Sequence, residues 1–110
     1  MTKQFFYREI RRIELSSKQR KELEKVAHDL QPVVIVGGAG VTDGVIGMVD
    51  NSLTAHELIK IKFNEYKDEK QELTAQICQS TDATLVRIIG NIAILFRENP
   101  DKDKEKKKVK

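Results

Sequence analysis

The residues best placed to bind another molecule form a glycine-rich turn in the first half of the chain. The turn follows a β-branched run and consists of Gly37, Gly38, Ala39 and Gly40. Glycine lets the backbone approach a ligand closely and tolerates positive φ. Thr42 then opens a predicted helix whose first amides have no intrahelical partners, and such amides bind anions, most commonly phosphate. The turn is therefore a candidate phosphate contact, and a purely structural strand-to-helix turn is the alternative.

The spacing of the glycines excludes the two common nucleotide-binding motifs. A dinucleotide fingerprint needs G-x-G-x-x-G, and a P-loop ends in Gly-Lys-Ser or Gly-Lys-Thr, whereas Gly40 is followed by Val41. Two histidines and the single Cys78 lack the spacing of a zinc site. No paired carboxylates or nucleophile–base arrangement stands out. We therefore expect no catalysis, no metal, no cofactor and no small-molecule substrate.

Positive charge is concentrated at the two ends of the chain. The net charge of +3 divides into +4 for residues 1–27, −4 for residues 28–96 and +3 for residues 97–110. In the first segment Lys18, Lys21 and Lys25 recur at spacings of three and four, so they share one helix face. This distribution favours a polyanionic partner. Charged ends that only keep a small protein in solution are the alternative.

Three helices are predicted to alternate with strands. Ser16 and Gln19 form a capping-box signature, and Leu23, Val26, Ala27 and Leu30 follow at helical spacing up to Pro32. A second helix begins at Thr42 or Asp43 and ends near His56. A third helix is predicted over residues 68–80.

Four strands complete the pattern. Residues 33–36 are predicted to form a short buried strand, and residues 58–63 form a second one. In the second strand Lys60 and Lys62 occupy the face opposite to Ile59, Ile61 and Phe63. Residues 84–89 and 92–96 form a hairpin around Gly90-Asn91. The order α-β-α-β-α-β-β predicts one compact α/β domain with three helices and a mixed four-stranded sheet.

The composition divides the chain into three parts. Residues 1–14 form a basic and aromatic N-terminal extension, residues 15–97 form the domain, and residues 98–110 form a charged disordered tail. No apolar run approaches the roughly 20 residues of a membrane span, and the N-terminus lacks the apolar core of a secretory signal. We therefore expect a cytoplasmic protein with no membrane partner.

Three segments in this order resemble the CRM domain, a family named for chloroplast RNA splicing and ribosome maturation. The likeness is greatest to its single-domain bacterial YhbY-type members. The segments are residues 15–21, 36–42 and 86–97, and residues 55–62 between them are also similar. The resemblance implies a fold similar to the C-terminal domain of translation initiation factor 3.

The resemblance also implies RNA binding without catalysis. The expected partner is ribosomal RNA in precursors of the large ribosomal subunit, with ribosomal proteins as further candidate partners. The expected role is to assist subunit assembly by backbone recognition of structured RNA. An adaptor that binds an assembly protein, with a purely structural glycine loop, is the alternative.

The resemblance assigns RNA-binding roles to individual residues. Gly37 and Gly40 match the two loop glycines of the family, and Thr42 matches the hydroxyl residue that caps the next helix. Gly38 and Ala39 stand where relatives often carry a basic residue. The expected charge comes from Lys18, Arg20, Lys21, Lys60 and Lys62. We expect Gly40→Glu to weaken RNA binding while leaving the fold intact.

Overall fold

The computed structural model describes residues 15–98, and the predicted N-terminal extension and residues 99–110 lie outside this part. The helices are α1 (Ser17–Ala27), α2 (Asp43–His56) and α3 (Lys70–Thr81), and a 3-10 turn (Lys67–Glu69) precedes α3. The strands are β1 (Pro32–Val36), β2 (Leu58–Phe63), β3 (Thr84–Ile89) and β4 (Ile92–Phe96). This order confirms the predicted α/β class, with three helices and a four-stranded sheet in the described part.

The strand order in the sheet is β1-β2-β4-β3. β1 and β2 pair in parallel, and β4 is antiparallel to both of its neighbours. The mixed sheet therefore has β1, β2 and β3 running in one direction. The loop after β1 and the Gly90-Asn91 turn consequently lie at the same end of the sheet, where the Phe63 amide donates to the Asn91 carbonyl at 2.8 Å.

Helices cover both faces of the sheet. α2 and α3 pack on one face, where the main core includes Val34, Ile61, Phe63, Leu53 and Ile77, all essentially inaccessible. α1 packs on the other face over β2 and β3, and its smaller core contains Ala27, Leu58, Val86 and Ile94. Burial of each large aliphatic or aromatic side chain stabilises the fold by about 1.5–3 kcal/mol, so the two cores hold the three layers together.

Local hydrogen bonds set the starts of the first two helices. The Ser16 hydroxyl accepts from the Gln19 amide at 3.1 Å, and the Gln19 side chain accepts from the Ser16 amide at 2.9 Å. This is the predicted capping box. At α2 the Thr42 hydroxyl accepts from the Val45 amide at 3.2 Å, so Thr42 rather than Asp43 is the cap.

The third helix begins later than predicted. Residues 67–69 form a 3-10 turn instead of the first turn of α3. Tyr66, just before it, has a φ of 58°, and the Glu69 amide donates to the Tyr66 carbonyl at 3.1 Å. Because Tyr66 adopts the left-handed conformation, the chain changes direction after β2, and the regular α-helix begins only at Lys70.

Three predicted core positions are wrong. Val26, assigned to the apolar stripe of the first helix, is 61% exposed. The strand predicted to be buried alternates instead, with Val33 40% and Ile35 54% exposed. The physical reason for the exposed β1 residues is that α1 packs on β2 and β3, so it leaves the β1 side of that sheet face uncovered.

Candidate nucleic-acid interface

The glycine loop is a tight turn with an exposed tip. The Gly40 amide donates to the Gly37 carbonyl at 3.0 Å, which closes the turn. Gly38 and Ala39 at the tip are exposed, whereas Gly40 is buried and has a φ of +76°. A side chain at Gly38 would meet no atom within 4 Å, but a Cβ at Gly40 would lie 3.6 Å from the Tyr66 ring.

These positions bear on one expectation from the sequence. Gly40→Glu would place an L side chain at a positive φ, a conformation that costs roughly 1–2 kcal/mol. Gly40→Glu would therefore strain the loop as well as change its charge, so that a loss of RNA binding could come from the altered loop conformation. Gly38 is the position at which the tip can be altered without a clash.

Tyr66 braces the loop from the segment that follows β2. Its hydroxyl donates to the Gly38 carbonyl at 2.8 Å. A trans peptide places its carbonyl and its N–H on opposite sides, so this bond directs the Ala39 N–H away from Tyr66. Within residues 15–98 that N–H has no hydrogen-bond partner. The loop therefore presents a backbone donor that Tyr66 orients. Sequence reasoning missed Tyr66, because no local pattern links it to a loop 28 residues away.

The surroundings of the loop are not strongly cationic. Gly38 and residues 64–69 line an open hollow that contains the carboxylates of Glu65, Asp68 and Glu69 and only one lysine, Lys67. Asp43 lies in the first turn of α2. Electrostatic attraction for a polyanion must therefore come from elsewhere on the surface.

The exposed lysines of α1 supply such a surface. Lys18, Lys21 and Lys25 line a shallow depression along the helix together with Glu22, Glu24 and His28. All three lysines are exposed, and none of them makes a hydrogen bond or an ion pair with another residue in 15–98. We call Lys18, Lys21 and Lys25 the α1 cationic face. Their ammonium groups are available to an external anion.

Arg20, by contrast, points into the protein. Its guanidinium donates to the carbonyls of Leu15, Leu85 and Val86 at 3.1, 3.3 and 3.3 Å. The register shift between Leu85 and Arg87 in β3 accompanies these bonds to two consecutive carbonyls. Arg20 therefore holds α1 on β3, and its guanidinium is less available to an external anion than the ammonium groups of the neighbouring lysines.

The two lysines of β2 also differ in their surroundings. The Lys60 ammonium donates to the carbonyls of His28 and Leu30 at 3.3 and 3.1 Å. A cation there satisfies carbonyls at the C-terminal end of α1 and complements the helix dipole. Lys62 is exposed. The predicted residues therefore form three groups, which are the α1 cationic face, the exposed loop tip, and the two inward cations Arg20 and Lys60 that hold α1 on the sheet. Lys62 stands apart from these groups as an exposed residue of β2.

Two other kinds of feature are absent from the same part of the chain. Residues 15–98 contain no group of three or more His, Cys, Asp or Glu side chains able to hold a metal ion. None of the helices in this range has the length and apolar character needed to cross a membrane.

The fold and these surfaces define a small α/β domain with an exposed glycine loop and a cationic helix. A family model described as the CRS1 / YhbY (CRM) domain matches residues 15–97. The chain belongs to this family.

Relatives of similar length support the assignment. A Haemophilus influenzae protein named an RNA-binding protein is 41% identical over 88 residues, which cover 79% of this chain and 89% of the relative. A Pseudomonas aeruginosa relative, named a probable RNA-binding protein, is 35% identical over 82% of this chain and 88% of its own length.

A solved structure has the same fold. It is the solution structure of a Staphylococcus aureus protein proposed to bind RNA, with a TM-score of 0.68 and 31% sequence identity. The match covers 77% of this chain and 90% of that one.

Proposed function

We propose that this protein binds structured ribosomal RNA in the cytoplasm and assists assembly of the large ribosomal subunit without catalysing a reaction. The α1 cationic face carries the proposal, because its three exposed lysines have no partner in the described part of the chain. The names of the Haemophilus and Pseudomonas relatives support RNA as the polyanion.

Recognition is proposed to act mainly on the RNA backbone. Lys18, Lys21 and Lys25 neutralise phosphates, and each such contact releases counterions from the RNA. The loop adds the Ala39 N–H, and its small tip lets a phosphate approach the main chain closely. The first free amides of α2, after Thr42, are further donors to an anion.

A second candidate function is supported by the acidic hollow beside the loop. Glu65, Asp68 and Glu69 there suit a basic protein, and ribosomal or assembly proteins would provide such a partner. In this adaptor function the glycine loop is structural. Competition by free RNA separates the two functions. Free RNA should displace a partner bound at the α1 cationic face, and it should not displace a basic protein bound at the acidic hollow.

Sedimentation of a cell lysate through a sucrose gradient tests the assembly role. We compare the wild type with Gly38→Glu, which adds a negative charge at the loop tip where a side chain has open space. The matched control is Gly47→Glu, at an exposed glycine of α2 that also has open space. We expect the wild type and the control to comigrate with large-subunit precursors, and Gly38→Glu to shift toward the top.

Two results would contradict the proposal. Wild-type protein found only at the top of the gradient would argue against an assembly role. Equal comigration of all three proteins would show that the loop tip does not contribute to binding.

A further inference from the structure

We propose that a groove between α1 and the strands β2, β4 and β3 binds an unpaired nucleobase of the RNA. The inference rests on the proposed function and deepens it, because it adds a base contact to backbone recognition. It concerns residues to which neither the glycine loop nor the α1 cationic face assigns a role.

The floor of the groove is part of a row of three isoleucines and one lysine that crosses all four strands. The strand registers pair Ile35 with Lys62, Lys62 with Ile92, and Ile92 with Ile89. These side chains lie on the sheet face that carries α1. Ile61 and Phe63, the neighbours of Lys62 in β2, belong to the core on the opposite face, and successive side chains of a strand alternate between the two faces. Ile35 is 54% and Ile89 is 52% exposed. Lys62 separates Ile35 from the other two isoleucines, but Ile89 and Ile92 are direct cross-strand neighbours and form a contiguous apolar patch on the groove floor. Single exposed aliphatic residues are ordinary, whereas contiguous apolar patches mark binding surfaces.

The groove itself has an apolar floor and a polar wall. Its volume is about 270 Å³, and it is lined by Glu24, His28, Lys60, Ile89, Ile92 and Ile94. Pockets for drug-sized ligands begin at about 300 Å³, so the size suits one smaller planar group. An apolar floor beside a few polar groups fits a nucleobase, which has an apolar face and a polar edge.

The polar wall can recognise the edge of a base. The Glu24 carboxylate contacts the Arg87 guanidinium at 3.4 Å and retains acceptor capacity, since an ionised carboxylate has about four lone-pair sites. Carboxylates accept from the exocyclic amino groups of bases. The Lys60 ammonium has three protons, and the two bonds to His28 and Leu30 carbonyls leave one for a base oxygen.

The charge distribution favours RNA over other occupants. Glu24 and His28 line both this groove and the depression along α1 that contains the α1 cationic face. A backbone held by Lys21 and Lys25 would therefore place its bases beside the groove. Residues 1–14 carry four Lys or Arg and two Glu, so their net positive charge makes them a poor match for a surface that already contains Lys60 and Lys62.

The test compares the affinity of the full chain for two probes by fluorescence anisotropy. One probe is a ten-nucleotide oligouridine, and the other is an abasic ribose-phosphate strand of the same length. The variants are Ile89→Ala alone and Ile89→Ala combined with Ile92→Ala. Met48→Ala is the matched control, since Met48 is a half-exposed apolar residue of α2 on the other side of the sheet. Circular dichroism checks that each variant is folded, and the single variant alters only a half-exposed side chain.

We expect the wild type and Met48→Ala to bind oligouridine about fivefold more tightly than the abasic strand, since burying roughly 40 Å² of apolar base surface on the isoleucines contributes about this much. The double variant should lose this preference and retain the affinity for the abasic strand, and Ile89→Ala should lose part of it. A wild type that binds both strands equally, or variants that keep the preference, would overturn the inference while leaving backbone binding intact. A wild type that binds neither strand but binds a structured RNA hairpin would overturn this inference alone, and a wild type that binds none of the three would overturn the proposed function as well.

Discussion

Replacing the α1 cationic face by alanine should change the salt dependence of RNA binding by a calculable amount. The triple variant Lys18→Ala, Lys21→Ala, Lys25→Ala removes three exposed charges with no partner in the described part. Alanine is the best helix former, so stability should change by no more than about 0.5 kcal/mol for each substitution. Each lost phosphate contact lowers the slope of log K against log salt by about 0.7–0.9, which gives about 2–3 for all three. The affinity ratio of wild type to variant should therefore shrink roughly 20- to 40-fold between 50 and 200 mM salt.

Titration of a fluorescent RNA hairpin at four salt concentrations measures these slopes. The charge-preserving control, Lys18→Arg with Lys21→Arg and Lys25→Arg, should keep the wild-type slope. Arg20→Ala should act differently, because it removes three hydrogen bonds to backbone carbonyls and should lower the free energy of unfolding by about 2–3 kcal/mol. A triple alanine variant with the wild-type slope would refute the assignment of α1 as the phosphate-binding surface.

Three further changes test single contacts. Tyr66→Phe keeps the ring but removes the 2.8 Å hydrogen bond to the loop. The net loss of about 0.5–1 kcal/mol for this bond should weaken RNA binding about two- to fivefold in the same titration. Unchanged affinity would show that the Tyr66 hydrogen bond is not needed for binding. Arg97→Ala removes four hydrogen bonds, one of them a 2.6 Å contact with a carboxylate, and should lower the free energy of unfolding in urea by about 2–4 kcal/mol. The exposed ion pair lost in Arg87→Ala should cost less than about 1 kcal/mol, so equal losses would contradict this ranking. Thr74→Val removes a buried hydroxyl that has no hydrogen-bond partner in the described residues and should stabilise the protein by about 1 kcal/mol; a lower Tm would show that the hydroxyl is bonded.

The order of the elements could be predicted because local chemistry determines it. The capping box at Ser16, the threonine cap of α2 and the Gly90-Asn91 turn each act over two or three residues. Alternation of apolar residues and lysines in β2 likewise predicted which face Lys60 and Lys62 occupy. These signals need no knowledge of the rest of the fold.

The directions of Arg20 and Lys60 could not be predicted in the same way. Arg20 lies among exposed lysines in the sequence, yet it reaches carbonyls exposed at an irregularity in β3, 65 and 66 residues further along the chain. Lys60 meets the end of α1 only after the helix has packed on the sheet. Tertiary packing determines which cations remain available, and the charge pattern of the sequence does not contain that information.

The uncovered sheet face also depends on packing between layers. A run such as Val33 to Val36 reads as a buried strand, but burial on both sides requires a helix over each face. α1 spans β2 and β3 and leaves β1 open on one side. The length and placement of α1 relative to the sheet, rather than any property of β1, expose Val33 and Ile35.

The most direct test of the central claim is UV crosslinking in cells that express the protein. The crosslinked RNA is sequenced, and the crosslinked peptides are identified by mass spectrometry. The account predicts precursor RNA of the large ribosomal subunit, with crosslinks in α1 and in the loop of residues 37–40. Crosslinks to no RNA, or only to the α2 and α3 side of the sheet, would contradict it.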